Sequence, residues 1–96
     1  MTELDLDIDT DLMIPKMYKV ILHNDDYSTF EFVIEVLMEV FNKNENEAIN
    51  LTLKVDREGY AIIGTYPKEI AETKVSLVKE MAKENNFPLL ATMEEE

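Results

Sequence analysis

The chain contains no cysteine, one histidine, two glycines, and nine basic residues against 21 acidic ones. Without cysteine there is no disulfide framework and no thiol chemistry, which is compatible with a reducing, cytoplasmic setting. One histidine and no cysteine exclude an ordinary structural zinc site, and nothing in the residue pattern asks for another metal or a cofactor. Gly59 and Gly64 stand alone, so no glycine-rich loop can cradle a phosphate. No apolar run approaches the roughly 18 residues of a membrane span. The acidic start lacks the basic and apolar regions expected of a signal peptide. A formal charge of −12 repels phosphate, which argues against nucleic acid and against an anionic membrane as partners. A protein, or a positively charged group, is the better match.

What is present is the composition of a folded domain. Hydrophobic residues make up 46% of 96, enough for one domain with a modest core, for which a monomer is the default expectation. Residues 1–14 hold the run E-L-D-L-D-I-D-T-D-L, whose crowded carboxylates lack counter-charge and predict a disordered acidic arm. Its D-x-D-x-D spacing does not continue as a calcium loop. Counting from Asp5, the sixth position is Thr10 rather than glycine and the twelfth is Lys16 rather than glutamate. The domain proper is expected over 15–93, with 94–96 as a solvated end.

Met17–His23 reads as a strand, with Tyr18, Val20 and Leu22 on one face and Lys19, Ile21 and His23 on the other. Asn24–Tyr27 is a turn. Ser28 with Glu31 forms S-x-x-E, a capping-box pattern that predicts a helix start, and Val33, Val36, Leu37, Val40 and Phe41 follow as one apolar stripe. Asn44 with Glu47 predicts a second helix over about 45–55, with Gly59 closing the section. Tyr60–Tyr66 reads as a second strand. Pro67 suits the first turn of a third helix over about 67–85, with Ile70, Lys74, Leu77, Val78 and Met81 at helical spacing. Asn85, Asn86 and Pro88 stop it, and Leu89–Met93 closes the domain as a strand. The order β-α-α-β-α-β predicts an α+β, two-layer sandwich: a three-stranded antiparallel sheet with three helices.

The chemistry concentrates where the first strand ends. Asn24-Asp25-Asp26 offers two carboxylates and an amide carbonyl, acceptors that suit a cation, with Phe30 and Val33 close behind for an apolar group. The same residues also serve as ordinary turn formers. Adjacent carboxylates can split their pKa values, so a hydrolase using Asp25 and Asp26 is conceivable. No serine or cysteine nucleophile has a base beside it, however, and binding is the stronger class.

Four stretches carry a resemblance to a known family: P-K-M-Y-K-V-I-L-H-N-D-D-Y (15–27), F-E-F-V-I-E-V-L (30–37), A-E-T-K-V (71–75) and N-x-F-P-L-L (85–90). From Met17 to Thr92 the chain resembles the ClpS adaptors, non-enzymatic readers of N-degrons that hand substrates to Clp unfoldases. The resemblance implies a small pocket for a bulky N-terminal residue. Its free α-amino group would be held by Asn24 and Asp26, with Asp25 adding negative charge and Asp56 beside them. The matching side-chain pocket positions are Leu22, Ser28, Phe30, Val33, Thr52, Val55 and Leu89. Docking on the N-terminal domain of a Clp-type AAA+ unfoldase would use Glu69, Glu72, Thr73 and Lys74, and the N-terminal arm would serve delivery. Three positions depart from the family's usual residues: Asp56 replaces a histidine, and Phe30 and Thr52 each replace a methionine. They leave open an alternative, an interaction module of the same fold with altered or lost N-degron specificity.

Overall fold

Period-two alternation turns Val20 and Leu22 inward, and in the computed structural model both are fully buried in strand β1, Met17–His23. The structure describes residues 15–96, so the expected arm, 1–14, lies outside the described residues. The chain continues through helix α1 (Phe30–Glu39), helix α2 (Glu45–Glu58), strand β2 (Tyr60–Pro67), helix α3 (Lys68–Glu84) and strand β3 (Leu90–Glu95). β1 lies in the middle of the sheet, antiparallel to β2 and β3. The inward residues Val20, Leu22, Ala61, Ile63 and Ala91 join helix residues such as Val36, Leu37, Val55 and Val78 in one core. The architecture is the expected α+β sandwich.

The boundaries differ from expectation in ways that have causes. Ser28 does not cap α1. Its hydroxyl is drawn back to Asp25, and Thr29 caps instead, accepting from the backbone N–H of Phe32 at 3.1 Å. The S-x-x-E pattern was one residue out of phase with the real cap. Val40 and Phe41 lie past the end of α1 yet stay buried, and the turn after them uses Asn42 at φ 55°. For α2 the capping box holds: Glu47 N–H donates to Asn44 Oδ1 at 2.8 Å, and Asn44 N–H donates to Glu47 Oε1 at 3.0 Å. The helix runs about a turn further than expected, to a left-handed Gly59 at φ 90°.

In α3 the apolar stripe is rotated. Ala71, Val78 and Ala82 are buried, whereas Ile70 and Leu77 are largely exposed and Lys74 and Met81 half-buried. The buried side carries the small Ala71 and Ala82 with Val78, and the larger apolar Ile70 and Leu77 fall on the outer flank. Pro67 is the N-cap of α3 rather than a residue of its first turn. β3 begins one residue later than expected and runs through Glu94 and Glu95, which remain exposed.

A register shift between Val20 and Ile21 leaves Ile63 as the extra residue of β2. Gly64 follows it, and a Cβ there would meet the Tyr66 hydroxyl at 2.5 Å.

Candidate functional site

A cavity of about 290 Å3 opens beside the end of β1. It is lined by the β1–α1 loop (His23, Asn24, Asp25, Asp26, Ser28), the start of α1 (Phe30, Val33), the last turns of α2 (Thr52, Val55, Asp56) and Leu89 just before β3. Three stretches distant in sequence, 23–33, 52–56 and 89, thus meet at one point. The inner residues Val33, Thr52, Val55 and Leu89 are buried, and Asn24, Asp26, Phe30 and Asp56 are exposed at the mouth. The volume, about 290 Å3, lies at the lower edge of the roughly 300–1,000 Å3 of drug-sized ligand sites, a scale suited to one side chain.

The neighbouring aspartates of the loop do different work. Asp25 Oδ1 accepts the backbone N–H groups of Tyr27 at 2.8 Å and Ser28 at 2.7 Å, and Oδ2 accepts the Ser28 hydroxyl at 2.7 Å. Partial burial pushes the Asp25 carboxyl up, but the Ser28 hydroxyl and the N–H groups of Ser28 and Tyr27 outweigh it and hold it below the ordinary aspartate range. Asp25 is therefore spent on shaping the loop. Among the described residues, Asp26 and Asp56 have neither an ion pair nor a side-chain hydrogen bond, so their oxygens remain free to accept. The two walls are tied through main chain: the Asn24 N–H donates to the carbonyl of Gly59 at 2.8 Å.

Leu22 is not part of this cavity. Its side chain is wholly buried in the core, because strand alternation turns it inward one residue before the chain reaches the mouth. His23 lines the cavity in its stead, with Nε2 2.7 Å from the Thr92 hydroxyl. Its position directly before Asn24 was the signal in the sequence. Ser28 lies at the cavity, its hydroxyl given to Asp25. Thr52 donates its hydroxyl to the carbonyl of Ala48 at 2.7 Å.

Glu69, Glu72 and Thr73 are exposed on α3 at i, i+3 and i+4, one face of the helix. Lys74 is not among them. Its ammonium donates to the Val40 carbonyl at 2.6 Å and lies 5.7 Å from the Tyr66 ring centroid and 6.0 Å from that of Phe41. It closes the end of α1 with charge of the sign that a helix C-terminus favours. A second depression, about 610 Å3, lies between Pro15, Lys16 and Tyr18 and the start of α3, and it includes Glu69 and Ile70. Among the described residues no helix is long and apolar enough to cross a membrane.

The chain is similar to known proteins over most of its length. Residues 13–92 match the family described as ATP-dependent Clp protease adaptor protein ClpS. A ClpS adapter from Nautilia profundicola is 58% identical over 87 residues, covering 91% of this chain and 90% of that protein. One from Wolinella succinogenes is 58% identical over 81 residues, covering 84% and 79%. Among solved structures, Agrobacterium tumefaciens ClpS2 bound to L-phenylalaninamide superposes with a TM-score of 0.84 at 41% identity. That match covers 86% of this chain and all of the other.

Proposed function

The chain belongs to the ClpS family of ATP-dependent Clp protease adaptors, and from that premise we propose that its cavity reads the N-terminal residue of proteins destined for Clp degradation. The observation that carries this reading is the division of one small cavity into a mouth of uncommitted acceptors and an apolar interior. An α-ammonium leaving water loses several kcal/mol of hydration unless charged or polar acceptors replace it. Asn24, Asp26 and Asp56 supply those acceptors by charge-assisted hydrogen bonds. Asp25 acts as a positioning residue, holding Asn24 and Asp26 on either side of it. Val33, Val55 and Leu89 take the side chain, whose burial contributes roughly 1.5–3 kcal/mol for a Leu or Phe. The relative bound to L-phenylalaninamide supports this assignment, since that ligand joins a free α-amino group to a benzyl side chain.

Delivery uses a second surface. Glu69, Glu72 and Thr73, with the adjoining depression around Ile70, form the docking face for the N-terminal domain of the unfoldase, and residues 1–14 assist transfer. Lys74 serves that face only from behind, by holding α3 to the end of α1. The adaptor works as a cytoplasmic monomer, without nucleic acid or membrane as partner.

The deciding experiment measures binding of peptides beginning Leu, Phe, Tyr or Trp against N-acetylated copies. The free peptides are expected to bind far more tightly. Equal affinities within each pair would sink α-amino recognition and favour an interaction module that has lost degron reading.

A further inference from the structure

Inside the cavity, past the mouth, one polar side chain is buried among apolar ones. Thr52 is 3% exposed and lines the interior with Val33, Val55 and Leu89. A threonine hydroxyl has one proton to give and two lone pairs to offer. Here the proton goes to the Ala48 carbonyl at 2.7 Å, so any further hydrogen bond this hydroxyl makes is one it accepts. The other polar groups of the cavity do not supply a donor at that depth. The Ser28 hydroxyl is given to Asp25, Asn24, Asp26 and Asp56 are exposed at the mouth, and His23 Nε2 is engaged with Thr92.

Resting on the reading of the cavity as an N-terminal residue pocket, we infer that Thr52 selects side chains carrying a hydrogen-bond donor at their far end, tyrosine ahead of phenylalanine. In the free protein, water can donate to the Thr52 oxygen. A phenyl ring displaces that water and leaves the oxygen without a donor, whereas a phenol replaces the water with its own O–H. A site built around such a group penalises the analogue that lacks it. Because the oxygen is neutral and the bond single, the preference amounts to about three- to ten-fold in Kd.

The test compares four peptides of one sequence, differing in the first residue: Tyr, Phe, 4-methylphenylalanine and N-acetyl-Tyr. 4-Methylphenylalanine fills nearly the space of tyrosine without a donor. The Tyr peptide is expected to bind about three- to ten-fold more tightly than the Phe and 4-methylphenylalanine peptides. Thr52→Val keeps the branched shape and removes the acceptor, and it should bring these three free peptides to within about two-fold of one another. Thr52→Ser keeps the acceptor and should keep the ordering. If 4-methylphenylalanine binds as well as Tyr to the native protein, or if a folded Thr52→Val protein retains the full Tyr preference, the inference is overturned. Should Thr52→Val fail to fold, the ligand comparison alone decides. Equal binding of Tyr and N-acetyl-Tyr overturns the inference together with the function beneath it, whereas tight, non-selective binding of the free peptides overturns the inference alone.

Discussion

The two walls of the pocket are built on different principles. The loop wall, Asn24 to Ser28, has no regular hydrogen-bond ladder and is held by one side chain, Asp25, which gathers two backbone N–H groups and a hydroxyl. The helix wall, Thr52 to Asp56, is held by α2 itself, which carries a complete capping box at one end and a left-handed glycine at the other. One wall is shaped by a side chain and the other by backbone. Substitutions on the loop therefore risk geometry as well as chemistry, whereas on the helix wall substitution of the exposed Asp56 changes chemistry alone.

Mutations that separate chemistry from geometry test this contrast. The largest effect is expected for Asp26→Ala, which removes a free acceptor. Peptide affinity should fall about 10- to 100-fold, as for a lost charge-assisted hydrogen bond. Thermal unfolding should show a stability change of no more than about 0.5 kcal/mol. Asp25→Ala should behave differently, losing affinity together with about 1–2 kcal/mol of stability, because the loop loses its organiser. If Asp25→Ala weakens binding at full stability, the division of labour between the two carboxylates is wrong.

The Asp25 effect has a predictable pH window. Its carboxyl is held below the ordinary aspartate range in the folded state, so its stabilising contribution is fully present above the unfolded pKa of about 4. That contribution is lost as the pH falls through the lower, folded value. The stability gap between the native protein and Asp25→Asn should be constant from pH 7 to about 5 and close in stronger acid. Unfolding curves at several pH values measure it.

A smaller effect is expected on the helix wall. With carboxylates and an amide as the proposed holders of the ammonium group, affinity should be nearly flat between about pH 5.5 and 7.5. Asp56→His introduces an imidazole that titrates within that range, and affinity should then fall toward acid pH with stability unchanged. A steep acid loss in the native protein would instead implicate His23, the chain's one histidine, which also lines the cavity. The smallest change in binding is expected for Ser28→Ala, which removes one of the bonds to Asp25 and should cost about 0.5–1.5 kcal/mol of stability, with little change in side-chain preference.

The order of elements was legible because it rests on long periodic signals: the alternation of β1, the Asn44–Glu47 cap and the stop at Gly59. The errors arose where two local signals compete. Ser28 and Glu31 match a cap, but Asp25, three residues before Ser28, reaches its hydroxyl first. In α3, apolarity pointed to Ile70 and Leu77, while the side the fold buries carries Ala71, Val78 and Ala82. Most of the residues expected from the family's motifs line one cavity. What separates Asp25 from Asp26, Leu22 from His23, or Lys74 from its neighbours on α3 is direction in space, which residue identity does not encode.

The hydrogen bond from the Asn24 amide to the Gly59 carbonyl gives these differences their setting. It joins two backbones, so the span across the mouth does not depend on any side chain that faces the ligand. The strut works like a jig, keeping the opening at constant width while the residues inside it are exchanged. On the proposed reading, replacements such as Phe30, Thr52 and Asp56 retune which N-terminal residue is accepted, and how acidity affects it, with this link left in place. Selectivity in such a pocket can drift one residue at a time, with the amino-group anchor left in register throughout.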